Sequence, residues 1–214
     1  MAQVIKAQLT EGAEAAVSFF NSLNCPLITA RVEGSDSFVN INGVFEIKNI
    51  TKRNDVRLYQ NGTQVVFFDN GYTPNPYCTV LYDDDCVFIW VCSSASGWTN
   101  KSFGVFYKRV GQKDLFGYRQ GDGLTSDIVN YVLYDNDTSL AYKITTVFKD
   151  YTPNVDCLDY TKAYLFIGDL ATTKSNDEVL GFLDCSTVTL FSVISFSGKN
   201  YFAIGTHILV ELND

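Results

Sequence analysis

Ser37-Phe-Val-Asn-Ile41, Asn42-Gly43 and Val44-Phe-Glu-Ile-Lys48 together spell a β-hairpin, and Val56-Arg-Leu-Tyr-Gln60, Asn61-Gly62 and Thr63-Gln-Val-Val-Phe-Phe68 spell a second. Each arm is a short run rich in β-branched and aromatic residues, which reads as a strand. Each Asn-Gly pair accepts two consecutive positive φ angles, which a type I′ turn requires and whose twist matches that of paired strands. Two such signals in succession predict a β-meander. The chain also carries 13 Tyr, 16 Phe and 2 Trp, residues that suit pleated, half-buried surfaces.

Working outward, Leu27–Glu33 is a further β-prone run, and Cys78–Tyr82 and Cys86–Cys92 flank the turn Asp83-Asp84-Asp85. Phe103–Lys108 reads as a strand. Ile128–Tyr134 and Ser139–Phe148 flank Asp135-Asn136-Asp137, and Ala163–Ile167, Thr187–Phe191, Val193–Phe196, Tyr201–Ile204 and Thr206–Leu212 follow. Asp177–Leu183 is ambiguous between strand and helical turn. Residues 10–23 are the best helix candidate: Thr10 can cap, Glu11 and Glu14 fall in the first turn, and Ala13, Ala16, Val17, Phe20 and Leu23 form an apolar stripe. These elements predict an all-β fold, an antiparallel β-sandwich with one short N-terminal helix, for which a jelly-roll strand order is one arrangement. No Pro/Ser linker divides residues 1–214, so a single domain is expected, with a seam at 111–125, where Gly111, Gly117, Gly121 and Gly123 gather.

The charge balance excludes some functions. Net charge is −8, from 16 basic and 24 acidic residues, and the longest basic groups are Lys52-Arg53 and Lys108-Arg109. Phosphate backbones are held by clustered Lys and Arg, so no nucleic-acid partner is expected. No eighteen-residue apolar run predicts a membrane span. The start, Met1-Ala-Gln-Val-Ile-Lys-Ala-Gln8, lacks the pattern of a signal peptide, which predicts a chain kept in the cytoplasm or assembled into a particle there. Reduced, buried thiols are therefore the expected state of Cys25, Cys78, Cys86, Cys92, Cys157 and Cys185. Cys86 and Cys92 would be roughly 20 Å apart on one strand, too far to bond to each other.

Candidate chemistry is sparse, and no enzyme activity is expected. The single histidine, His207, falls in the last strand pattern and reads as a strand-surface residue. Cys25 sits at the C-terminal end of the predicted helix, where the dipole raises a thiol pKa. No nucleophile-elbow, zincin, phosphate-loop or dinucleotide signature is present. The acidic turns 83–85 and 135–137 offer oxygen ligands to a calcium ion, but they lack the spacing of a calcium loop. Asp and Asn are ordinary turn formers, so plain turns are the preferred reading. No cofactor or metal is predicted. Trp98, in the small polar loop Ser93–Asn100, can stack on a sugar or anchor a protein contact, although packing down its own loop is the preferred reading; Trp98 and Asn100 are the candidate ligand-binding residues. Asn49, Asn61, Asn100 and Asn136 each begin an N-x-Ser/Thr triplet, which carries little weight without a secretory signal.

Asp184-Cys-Ser-Thr-Val188 and Ser197-Gly-Lys-Asn-Tyr-Phe-Ala-Ile-Gly-Thr-His-Ile-Leu-Val-Glu211 resemble the closing strands of virion structural proteins from tailed bacteriophages of gut bacteria. The thiols and aromatic density also suit animal-virus β domains. The resemblance implies a tail, neck or head-appendage role in a virion assembled in the host cytoplasm, and it carries over no binding residue. The expected function is thus a non-enzymatic viral structural or attachment protein acting by surface recognition and assembly. Its expected partners are other copies of itself, other virion proteins, and a glycan or host surface receptor. The alternative is a carbohydrate-binding β-sandwich module using Trp98.

Overall fold

A computed structural model describes residues 2–68, 72–93, 102–110, 113–120, 130–135, 140–147, 164–167, 173–175, 181–182, 193–196, 199–203 and 208–212. The fold is all-β, with antiparallel sheets and, among the described residues, one short helix. Two compact units are formed, Gln3–Tyr107 with Tyr118–Gly123, and Lys108–Gly117 with Leu124–Asp214 and the first two residues.

The first unit opens with strand β1 (Gln3–Gln8) and helix α1 (Ala13–Ser22). Next come β2 (Ile28–Glu33), β3 (Asp36–Ile41), β4 (Phe45–Lys48), β5 (Val56–Gln60) and β6 (Thr63–Phe68). These five strands form one sheet in plain sequential order, the meander expected from the two Asn-Gly turns. A second sheet has β1 beside β7 (Tyr77–Tyr82), then β8 (Cys86–Cys92), then β9 (Ser102–Val110). Sequential neighbours in the five-stranded sheet are not the alternation between sheets that defines a jelly roll, so the sandwich is built from a meander instead.

Strict alternation builds the core. Val39, Ile41, Ile47, Val56 and Leu58 are fully buried, while Phe38, Asn40, Glu46, Lys48 and Arg57 lie on the opposite face. Phe68 of β6 stacks on Tyr72 at 5.6 Å between ring centroids and lies 6.0 Å from Phe103 of β9, which joins the two sheets. Each fully buried side chain of this size contributes roughly 1.5–3 kcal/mol. Every residue of β8 is buried, so this strand reads as a continuous apolar run with both faces covered. Its Trp90 lies over Gly104 of β9.

The Asn61-Gly62 turn is the predicted two-residue hairpin: both residues have positive φ, and Gln60 pairs with Thr63. Farther along, the register shifts, with Tyr59 opposite Gln64 but Leu58 opposite Val66, leaving Val65 as a bulge. At Asn42-Gly43 both φ angles are again positive, and the Val44 N–H donates to the Ile41 carbonyl at 3.0 Å. Here the ladder resumes with Ile41 opposite Phe45, so Val44 is one more loop residue than a two-residue hairpin has. Its carbonyl accepts from the Asn61 N–H instead. Gly43 has φ +73° and Gly62 φ +76°, with nothing within 4 Å of an added Cβ. Gly43→Val and Gly62→Val therefore lose only backbone freedom, and each is expected to destabilise by about 1 kcal/mol or more. Unchanged denaturation midpoints in both variants would show that these turns do not depend on the left-handed conformation.

The helix begins later than its sequence signals. Gly12, with φ +117°, occupies the N-cap without a side-chain hydrogen bond, so Thr10 is not the cap. The Glu11 N–H is instead taken by the Asn75 side-chain carbonyl at 2.9 Å. Ala16 and Phe20 are the buried helix residues, as the stripe predicts. Strand β1, unforeseen in the sequence, pairs with β7 from Gln3–Tyr82 to Gln8–Tyr77.

Strand β10 (Lys113–Gln120) lies in the segment 111–125, where no strand was expected. In the second unit β11 (Asn130–Asp135), β12 (Leu140–Val147), β13 (Tyr164–Ile167) and β14 (Thr173–Ser175) pair in order. A four-stranded sheet contains β15 (Gly181–Phe182), β16 (Val193–Phe196), β17 (Lys199–Ala203) and β18 (Ile208–Leu212) in the order β15-β18-β17-β16. The predicted strand Thr187–Phe191 lies outside the described residues.

Candidate functional site

The solvent face of the five-stranded sheet carries a row of side chains running straight across it. The register places Arg31 opposite Phe38, Phe38 opposite Lys48, Lys48 opposite Arg57, and Arg57 opposite Phe67. Cations and rings meet along this row. The Arg31 guanidinium lies 4.5 Å from the Phe38 centroid, the Lys48 ammonium 5.5 Å from the same ring, and Arg57 4.9 Å from Phe67. Each such contact is worth about 0.5–1 kcal/mol at an exposed position. Phe67 stays 42% exposed.

Carboxylates flank the row. Arg31 donates to Glu33 at 2.6 Å and to Glu46 at 3.0 Å. Lys48 is 2.8 Å and Lys52 3.0 Å from Asp36, and Arg57 donates to Asp55 at 2.7 Å. Two like charges on directly opposed strands, Lys48 and Arg57, would repel, and these two aspartates offset that.

Asn49 ties the acids together. Its side-chain amide donates to Asp36 at 3.0 Å and to Asp55 at 2.9 Å, and its side-chain carbonyl accepts from the buried Ser37 N–H at 3.1 Å. Asn49 has φ +58°, so the chain leaves the ladder there while its own N–H still donates to the Ser37 carbonyl. The backbone carbonyl turns away to accept from Lys52, and the side-chain oxygen takes its place in the ladder. This residue is 2% exposed, so its N-x-Thr triplet presents no accessible amide.

The charges shift as the contacts dictate. Hydrogen bonds from Lys48, then Lys52 and Asn49, hold the Asp36 carboxyl well below the usual range. Burial alone would raise Asp55, but the hydrogen bonds from Arg57 and Asn49 and the nearby Arg57 and Lys52 charges outweigh it and lower its pKa. Both carboxylates thus sit below their unfolded value of about 3.9. Their contribution to stability is complete above that value and is lost as pH falls through about 4 toward the folded-state values. The thermal midpoint is expected to drop across this window, less steeply in Asp36→Asn. An identical acid profile for wild type and Asp36→Asn would show that Asp36 has no linkage to folding.

The residues singled out in the sequence fall elsewhere. Trp98, Asn100, His207, Cys157, Cys185, Asn136 and Asp137 lie outside the described residues. In the acidic turn 83–85, one Asp83 carboxylate oxygen accepts from the Asp85 N–H at 2.8 Å and the Cys86 N–H at 2.6 Å. Among the described residues, no three His, Cys, Asp or Glu side chains are grouped to hold a metal ion. Cys25 is buried, and burial pushes its thiol up, more than the Leu27 and Ile28 amides pull it down. Cys78, Cys86 and Cys92 are likewise buried, and burial raises the Cys78 thiol far above its ordinary value. These four thiols are expected to resist modification in the folded protein and to react on unfolding without reductant. Fast labelling of all four in the native state would contradict their burial.

The row itself was missed in the sequence. Its signal was a Phe on the polar face of a strand: alternation puts Phe38 with Asp36 and Asn40, not with Val39 and Ile41. No helix among the described residues is long and apolar enough to cross a membrane. No protein-family model matches the chain, and no curated protein or solved structure matches it either.

Proposed function

We propose that the chain is a non-enzymatic recognition and assembly module, serving as a structural or attachment part of a virus particle assembled in the host cytoplasm. The observation that carries the recognition half is the row Arg31–Phe38–Lys48–Arg57–Phe67. It is a rigid sheet surface whose rings are held by stacked cations and whose cations are matched by carboxylates. A face of this kind offers planar apolar area with little net charge, which suits a protein or glycan surface better than a polyphosphate. The viral half is supported by the resemblance of residues 184–188 and 197–211 to virion strands.

The test uses the full chain on a glycan array and on candidate host cells, with Phe67→Ala and the pair Phe38→Ala/Phe67→Ala as probes. Binding that falls at least about tenfold in the double variant, while the fold persists, is the expected result. Binding indifferent to both rings, or turnover in a hydrolase substrate panel, would overturn the proposal.

A further inference from the structure

The two edges of the five-stranded sheet are treated differently. At the β2 edge, a side chain occupies the outward backbone groups. The Asn21 amide donates to the Ala30 carbonyl at 3.1 Å, and its carbonyl accepts from the Ala30 N–H at 3.1 Å. The Ile28 N–H is taken by the Cys25 carbonyl, and the strand carries Arg31 and Glu33. Such devices stop an edge from pairing with another strand. The β6 edge carries only the Val65 bulge as a device of this kind, and among the described residues β5 is its only strand neighbour. No charged residue occurs from Leu58 to Phe68.

Geometry shows which groups face outward. A two-residue turn closes on a hydrogen-bonded pair, here Gln60 with Thr63. The next pair, Tyr59 with Gln64, therefore directs the Gln64 N–H and C=O away from β5. Beyond the Val65 bulge, the Arg57–Phe67 pair does the same for Phe67. The two outward-facing residues are three apart, where a regular strand presents its bonding groups every two residues.

We infer that the β6 edge is a self-association surface, on which a second copy of this chain pairs antiparallel through its own β6. A regular strand cannot meet Gln64 and Phe67 together. A second β6, turned by a twofold axis, carries the same three-residue spacing, so Gln64 of each copy meets Phe67 of the other. Charge points the same way. The chain carries a net charge of −8, and an uncharged strip lets two copies approach without setting like charges opposite each other. The contact is short, so the dimer is weak unless a particle presents many copies at once. This inference rests on the assembly half of the proposed function and assigns it a surface.

Sedimentation of the full chain from about 1 to 500 μM tests it, with Gln64→Pro and Phe67→Lys as variants. Because the Gln64 N–H faces away from β5, proline there removes no bond of the chain's own sheet. The expected result is a reversible wild-type dimer, with Kd raised at least about tenfold in either variant. In the wild type itself, hydrogen exchange at the Gln64 and Phe67 amides is expected to slow as concentration rises, a readout that does not depend on the variants folding. Dimers unaffected by both folded variants, or exchange at these amides independent of concentration, would overturn the β6 surface while leaving assembly through another surface standing. A chain monomeric at every concentration would overturn the self-association, and its binding to host cells or glycans would then decide the recognition reading separately.

Discussion

Asn49→Ala is expected to lower folding stability by about 3 kcal/mol, although the residue lies in a connection between strands. Two penalties add. Loss of the side-chain carbonyl leaves the buried Ser37 N–H without its acceptor, which costs about 1–3 kcal/mol. Alanine must also hold the left-handed φ of +58°, a further roughly 1 kcal/mol. The donors to Asp36 and Asp55 disappear as well, so the acid window moves toward higher pH. Asn49→Gly separates these causes, because glycine adopts positive φ freely. It should recover about 1 kcal/mol relative to alanine, and no more. Chemical denaturation of the three proteins decides the matter. A glycine variant as stable as wild type would mean that the hydrogen bonds contribute nothing.

Gly104→Val is expected to be at least as disruptive. A Cβ at Gly104 would lie 2.6 Å from Cε3 and 3.2 Å from Cζ3 of Trp90, with the Ile89 carbonyl 3.4 Å away. The indole is 3% exposed and sits in a strand buried on both faces, so it has nowhere to go without opening the core. Overpacking of this kind costs about 1–3 kcal/mol, and the second branch of valine places it at the top of that range. Coupling identifies the cause: in a Trp90→Leu background the same substitution should be milder, giving a non-additive double-mutant cycle. Additive effects would show that the strain is relieved somewhere other than Trp90.

Local chemistry made much of the fold legible. The left-handed φ angles at Asn42, Gly43, Asn61 and Gly62 follow from residue type, as do the alternation of β3 to β5 and the burial of Cys86–Cys92. Each depends on neighbours within a few positions. The candidate site was legible only in its parts. Arg31, Phe38, Lys48, Arg57 and Phe67 are spread over five strands, and no spacing along the chain announces that one register lines them up. Asn49 was visible only as a glycosylation triplet, because its role depends on Ser37, Asp36 and Asp55 arriving beside it.

Strand β1 shows the same division. Gln3–Gln8 has a weak alternation, and β7, whose backbone groups complete it, lies some seventy residues away. Thr10 carries good capping chemistry, yet the helix starts at Ala13 because Asn75 claims the Glu11 N–H and Thr51 bonds to the Gly12 carbonyl. The sequence alone was sufficient for the left-handed turn residues, strand periodicity and the all-β class, since these follow from φ preferences and from which side chains avoid water, while the loop length at Asn42-Gly43 was set by the contact of Val44 with Asn61. Which edge is guarded, which ring stacks on which cation, and where the helix begins required the tertiary structure, because each depends on a hydrogen bond or contact between residues that only folding brings together.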